Sequence, residues 1–395
     1  MKQGWEYKKL GEVTSFFRGL TYSGKDEVDF SNNIVLRSNN IDLSTNSINL
    51  DELKYISDSI TIPEDKKLRK NSIFMCMSNG SKQHLGKVAF VEKEYPYAFG
   101  GFMGLIVPNE DKLIPKFTYY YFCSQTFKAY LSSIGNGANI NNIKFTDVAK
   151  DCIPLPPKPI QLAIVSELDK INELIRLKKE QLKDYDNLAQ SIFYQMFGDP
   201  VENEMGWEVK KLGEISTSKG GGTPSKNKPE YWNGDIVWVS SKDMKSMYIS
   251  NSLLHITELG MQNSSAKLLP TGTILIVNRS GILKHTLPIA ITTRPVTINQ
   301  DIKALLVYEN KANTLFILYT LKMSSSYLLS KTKAVTVDSI NFEEFKKLPI
   351  PLPPLPLQQL FAERIKQIEK QKAEVQKAIA DLETLLASRM QYWFE

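Results

Sequence analysis

The stretch Gly4-Trp5-Glu6-Tyr7-Lys8-Lys9-Leu10-Gly11-Glu12 returns 202 residues later as Gly206-Trp207-Glu208-Val209-Lys210-Lys211-Leu212-Gly213-Glu214. A chain that restarts in this way folds as two copies of one unit, which excludes most single-core architectures of its length. Further matches follow with a slowly drifting offset. Ile34-Val35-Leu36-Arg37-Ser38-Asn39-Asn40 falls on Ile236-Val237-Trp238-Val239-Ser240-Ser241-Lys242 at 202, and Ile73-Phe74-Met75-Cys76 on Ile274-Leu275-Ile276-Val277 at 201. Leu105-Ile106-Val107 meets Leu305-Leu306-Val307 at 200, and Ile143 and Phe145 meet Ile340 and Phe342 at 197. Small length changes between matched strands are what diverged loops leave behind. Each half reads as short apolar strands between Gly/Asn/Ser turns, with a helical stretch near 116–132 and 313–329, and is assigned to the α+β class.

Each half closes on a proline cluster, Ile153-Pro154-Leu155-Pro156-Pro157 and Ile350-Pro351-Leu352-Pro353-Pro354, followed by a charged, apolar-striped segment to Phe197 or Phe394. Proline ends a globular segment and fits a first helical turn. Ile164, Leu168, Ile171, Ile175, Lys178, Leu182, Tyr185, Ala189, Ile192 and Met196 step by four and three alternately, the pattern of a coiled-coil seam. Adding 197 gives Phe361, Ile365, Ile368, Lys372, Val375, Ile379, Leu382, Leu386, Arg389 and Trp393. The stripes are broken at Lys178 in one and at Lys372 and Arg389 in the other, which differentiates the partners. Two ordinary amphipathic helices, each covering its own domain, are the plainer reading. A helix of about 38 residues rises roughly 57 Å, longer than that task requires. The expected layout is therefore a globular domain over 1–152, a helix over 153–199, a second domain over 200–349 and a second helix over 350–395.

With 395 residues, an apolar fraction of 42% and an aromatic fraction of 10%, the chain can bury more than one core. No apolar run approaches the ~18 residues of a membrane span and the opening lacks a signal-peptide core, so a cytoplasmic protein without membrane contact is expected. Cys76, Cys123 and Cys152 are widely spaced among apolar or aromatic neighbours and read as core thiols. The net charge is +6; the segments 160–199 and 357–395 carry −2 and 0, so the excess lies on the globular parts. That excess is compatible with a nucleic-acid surface and equally with a solvated basic face.

Catalytic constellations are poor. His84, His255 and His285 are the only histidines and have no metal-ligand spacing. The runs Phe99-Gly100-Gly101-Phe102-Met103-Gly104 and Gly220-Gly221-Gly222-Thr223-Pro224 fit neither G-x-G-x-x-G nor a P-loop. Glu64-Asp65-Lys66 has an acid-x-Lys form found in some nucleases, but a charged loop has it too. No cofactor or metal is expected. Function is sought instead at the polar ends of matched strands: Arg37, Ser38, Asn39, Asn40, Ser78, Asn79, Lys82 and His84, then Ser240, Ser241, Lys242, Asn278, Arg279, Ser280, Lys284 and His285. Arg and Lys can bond guanine, Asn can bond adenine, and Ser suits phosphates. Any one of these could be a turn former; their recurrence at matched positions singles them out.

On the duplicated Gly-Trp-Glu opening, the proline leads, Gly221-Gly222-Thr223-Pro224-Ser225, Glu230-Tyr231-Trp232, Asn278-Arg279-Ser280-Gly281 and Asn299-Gln300-Asp301-Ile302-Lys303, the chain resembles the specificity subunits of type I restriction-modification enzymes. The resemblance runs from Gly4 to about Phe394. It implies two target recognition domains that each read one part of a split double-stranded DNA sequence, separated by two long helices forming an antiparallel coiled coil with pseudo-twofold symmetry. It also implies two methyltransferase subunits as partners, joined by ATP-dependent restriction subunits, and a specificity subunit that is not itself catalytic. Two other classes stand beside this reading: a self-contained methyltransferase or nuclease with degenerate motifs, and a coiled-coil scaffold that binds no DNA. The missing cofactor loop speaks against the first, and a salt titration of duplex binding would test the second.

Overall fold

The computed structural model describes residues 4–81, 84–134, 142–332 and 339–395. Two α+β units emerge, one from Met1–Lys179 with Lys377–Glu395 and the other from Glu180–Gln376. Each of the two long helices, Lys158–Phe197 and Leu355–Phe394, gives its start to one unit and its end to the other. Both end at the residues the apolar stripes indicated.

In the first unit four antiparallel strands lie in the order Thr14–Arg18, Met103–Pro108, Ser72–Cys76, Val88–Val91. The run Ser72–Cys76 is buried throughout, and apolar from Ile73 on, because both faces of its sheet are covered. Side chains alternate between the faces. Ile73 and Met75 join Ile106, Phe117, Ile164 and Leu168 in one core, while Phe74 and Cys76 join Leu36, Phe99 and Leu105 in another. Beside it, Ala98–Phe99, Asn33–Leu36, Lys54–Ile56 and Glu27–Val28 form a second sheet, with Ala98–Phe99 parallel to Asn33–Leu36.

The second unit repeats the plan with the order Ser216–Gly220, Ile302–Val307, Ile274–Val277, Ile289–Thr292, Tyr248–Ile249, beside a smaller sheet of Leu254–Ile256, Trp232–Val239 and Thr297–Ile298. The single helical stretch expected in each half is a pair of helices: Pro115–Cys123 with Gln125–Ile134, and Thr314–Met323 with Ser325–Thr332.

The proline leads are strands. Cys152–Leu155 pairs with Glu6–Lys9, and Pro349–Leu352 with Glu208–Lys211, so each repeat's opening is bonded to the lead into its long helix. A buried glutamine completes both joints. Gln161 Nε2 donates to Pro156 O at 2.8 Å and to Lys112 O at 3.0 Å, and its Oε1 accepts from Ile114 N at 2.8 Å. Gln358 does the same with Pro353 O at 2.7 Å and Asn313 N at 2.9 Å. A buried amide of this kind is tolerated only when its hydrogen bonds are made.

Within each unit the two long helices run antiparallel. In the first, Arg389 bonds Glu167, and Lys179 Nζ lies 3.0 Å from Glu383. In the second, Lys372 Nζ lies 2.7 Å from Asp186, and the Phe193 and Phe361 rings are 5.6 Å apart. The polar breaks in the second stripe are thus ion pairs. Arg389 Nη2 donates to Glu167 Oε2 at 3.1 Å and Trp393 Nε1 to the same oxygen at 2.9 Å, which holds the Glu167 carboxyl below the usual carboxylate range. Burial opposes the charge of Lys372, yet Asp186 and Glu369 together hold its ammonium above the usual lysine range. The helix ends fill the cores: Phe197 meets Phe316 at 4.9 Å, and Phe394 meets Phe117 at 5.3 Å.

Backbone pairing corrects two of the sequence matches by one residue. Phe99 lies opposite Leu36, and Ile298 opposite Val239, so Leu36 corresponds to Val239 and not to Trp238. Likewise Ile73 faces Ile106 while Ile274 faces Leu305, so Ile106 corresponds to Leu305 and not to Leu306. A run of apolar residues matches itself almost as well when slid by one, although such a slip exchanges the faces of a strand.

Candidate nucleic-acid interface

Four backbone segments converge at one end of each unit's sheets. In the first unit Leu20 N donates to Phe99 O at 2.7 Å, Gly100 N to Leu36 O at 2.9 Å, and Met77 N and Ser78 N both to Phe102 O at 2.9 and 3.1 Å. In the second, Gly222 N donates to Ile298 O at 2.9 Å, Asn299 N to Val239 O at 3.0 Å, and Asn278 N and Arg279 N both to Asp301 O at 2.7 and 3.1 Å. Ile143 N donates to Met77 O and Ile340 N to Asn278 O, completing the same frame. The approach is so close at Gly19 and Gly221 that an added Cβ would lie 2.0 Å from the carbonyl oxygen of Gly100 or Ile298. Only glycine fits there.

On this frame the first unit holds a cleft of about 870 Å³. Arg37, Ser38, Asn39, Ser78 and Asn79 line it, as five of the sequence-predicted residues; Asn79 Nδ2 donates to Ser38 Oγ at 3.1 Å. Arg18, Thr21, Tyr22, Phe102 and Asn142 line it too and were missed. Phe102 is 73% exposed. Glu27 also faces the cleft but is paired with Lys54, which offsets its charge. Burial pushes the Tyr22 hydroxyl up, with Glu27 adding and Arg37 opposing.

Asn40 does not face the cleft. It is buried, its Oδ1 accepts from Arg37 N at 2.8 Å, and its Nδ2 donates to Asn49 O and Glu52 O at 2.9 and 2.8 Å. Its counterpart is Asp243, whose Oδ2 accepts from Ser240 N at 2.8 Å and Ser240 Oγ at 2.7 Å. Both residues shape the loop that presents the polar side chains. His84 lies outside the cleft lining and half-buried, and Lys82 lies outside the described residues.

In the second unit Ser240 and Ser241 are half-buried, and Lys242, Arg279, Lys284 and His285 are exposed. Ser280 and Asn278 are half-buried beside Arg279. Arg279 is not solitary: its Nε and Nη2 lie 2.8 and 2.7 Å from Asp301 Oδ1. Asp301 in turn accepts from Asn299 Nδ2 at 3.1 Å, and Thr223 Oγ1 donates to Gln300 Oε1 at 2.5 Å. In the sequence Asn299-Gln300-Asp301 stands out only as a family motif, and Gly221-Gly222-Thr223 as that and as a glycine-rich run that fits no phosphate-binding pattern. Their role comes from contacts across 22 and 77 residues, which no local pattern carries.

Among the described residues, three side-chain polar atoms are buried without a hydrogen-bond partner: Arg37 Nε, His84 Nδ1 and Asn278 Oδ1. All three belong to residues singled out at the strand ends. Such atoms take a partner from outside the chain, ordered water or a bound group. No group of three or more His, Cys, Asp or Glu residues is arranged to hold a metal ion among the described residues. No described helix is long and apolar enough to cross a membrane.

Comparison with known proteins bears on the same segments. The type I restriction modification DNA specificity domain matches residues 2–184 and again 204–384. The EcoR124I/EcoR124II specificity subunit of Escherichia coli is 34% identical over 65% of this chain and 63% of its own length. The MjaIX specificity subunit of Methanocaldococcus jannaschii is 30% identical over 48% of this chain and 44% of its own. The chain thus spans about half to two thirds of the length of these relatives. A solved chain from a study of complex assembly and conformational transition in a type I R-M system shares the fold, with a TM-score of 0.61 at 20% identity over 99% of this chain and 97% of that one. Matched over both of its repeats, the chain belongs to the type I restriction modification DNA specificity family.

Proposed function

We propose that this chain is the non-catalytic, sequence-reading subunit of a type I restriction-modification enzyme. Its two recognition domains, 1–152 and 200–349, each read one part of a bipartite duplex target. The side chains that do so are those at the strand ends other than Asn40 and His84, with Arg18, Thr21, Tyr22 and Phe102 added in the first unit. Two methyltransferase subunits supply the methyl transfer, ATP-dependent restriction subunits supply cleavage, and the work is done in the cytoplasm.

The observation that carries this reading is the pair of matched frames. Two units present polar strand ends on the same backbone contacts, and the buried unpaired atoms fall among those ends. Hydrogen-bonding groups at the tips of rigid strands are what base-edge and phosphate contacts require. The test is to exchange residues 200–349 for the matching segment of a relative and sequence adenine methylation in cells that also carry the methyltransferase subunit. One half of the methylated motif is expected to change while the other stays. A chimera that altered both halves, or a wild-type complex that methylated without sequence preference, would sink the reading.

A further inference from the structure

The two frames are superimposable contact by contact, and this identifies a pair of positions whose chemistry differs between units. Ser78 and Arg279 are equivalent, since each donates its backbone N–H to the last residue of the matched turn; Phe102 and Asp301 are that residue. Each also bridges the segment before the next short helix, Ser78 to Asn142 and Arg279 to Ser339. The first unit therefore has Ser and an exposed Phe where the second has Arg and Asp.

Arginine carries five N–H donors in a rigid fork. Asp301 engages the Nε and Nη2 side, which leaves donors on the far side of the guanidinium and fixes the plane in which they lie. The aspartate is itself held by Asn299. A fork presented in this way matches the O6 and N7 acceptors of guanine in the major groove, and a carboxylate beside it can accept from the amino group of a cytosine. A lone arginine on a phosphate needs no such partner, because a phosphate accepts from any direction.

We infer that Arg279 is the guanine reader of the second unit and that Asp301 is its positioning residue. This rests on the DNA-reading function proposed above. The half-target read by residues 200–349 then contains a guanine at the position facing Arg279, whereas the equivalent position facing Ser78 and Phe102 is not read by an arginine fork.

The experiment uses the complex of the full chain with its methyltransferase subunit, on the motif found by methylation sequencing. Replacing each guanine of that half-target by 7-deazaguanine, which lacks the N7 acceptor, should weaken duplex binding by the wild-type complex at one position, by about 5- to 150-fold. Arg279→Ala should remove the sensitivity at that position and relax it in the methylated motif. Asp301→Asn should reduce the discrimination between guanine and the other bases in the wild-type background and have no further effect when combined with Arg279→Ala, as expected if it acts through the arginine. Wild-type insensitivity to 7-deazaguanine at every position would overturn the inference without touching the reading function, and so would an unchanged motif with Arg279→Ala. The same 7-deazaguanine measurement on the wild type stands even if a variant fails to fold. A wild-type complex with no sequence preference would overturn both.

Discussion

The first unit meets its cleft with Ser78, Asn79 and an exposed Phe102, whereas the second offers Arg279 braced by Asp301, yet the main-chain bonds behind these side chains agree atom for atom. The sheets and joints are conserved because any change there breaks several hydrogen bonds at once. The tips diverge because each carries its chemistry on side chains that the frame does not need. A duplicated fold can acquire two different specificities in this way without altering its core.

The comparison is broken most severely at its closest contact. Gly19→Ala and Gly221→Ala should each destabilise their unit by more than about 3 kcal/mol, since the new Cβ would overlap a backbone carbonyl. Thermal melting of the two variants should show similar losses. A tolerated alanine at one site and not the other would mean that the frames differ. Gln161→Ala and Gln358→Ala come next. Each leaves a part-buried N–H and a buried carbonyl unpaired, with an expected cost of about 2 to 3 kcal/mol in chemical denaturation.

Asn40→Ala and Asp243→Ala sharpen the contrast between frame and tip. Loss of these turn-forming side chains should cost about 1 to 2 kcal/mol and loosen reading of the half-target in each unit, while leaving the other half intact in the methylated motif. Phe102→Ala, by contrast, should leave melting within about 0.5 kcal/mol and change only duplex binding, because the ring is exposed. A fall in stability instead would assign Phe102 to the core.

The smallest effect concerns the helices. Glu167 has its carboxyl pKa lowered by the Arg389 hydrogen bond, so its pairing stabilises the folded state above the ordinary glutamate value near 4.3. That contribution is lost as pH falls through the depressed folded value. Glu167→Gln should therefore cost under about 1 kcal/mol at pH 7 and nothing once the wild-type carboxyl is protonated. Melting curves of both proteins across that range should converge at low pH.

Sequence carried the repeat, the strand segments and both helix ends at Phe197 and Phe394, since periodic apolar patterns are read over many residues and single errors average out. It failed where one residue decides. The slips at Leu36 and Ile106 arose because neighbouring apolar residues look alike. Gln161 and Gln358 went unnoticed because a glutamine in a charged helix reads as solvent-facing. Asn40 was placed among the contacts by its type, yet backbone carbonyls claim it. Asp301 acquires its meaning only from an arginine 22 residues away.

The ring of Phe394 in the first unit's core sets an order of events during synthesis. The second unit is one continuous stretch, complete once Gln376 has been made. The first unit, begun earlier, lacks Lys377–Glu395 until the whole of Glu180–Gln376 has also been made, a delay of roughly 10 to 40 s at 5 to 20 residues per second. Phe117 and Tyr121 wait for their partner, and Trp5 for Trp393, through all that time. The unit begun first thus closes after the one begun second, and a chain cut between Gln376 and Phe394 lacks the residues that close its opening unit.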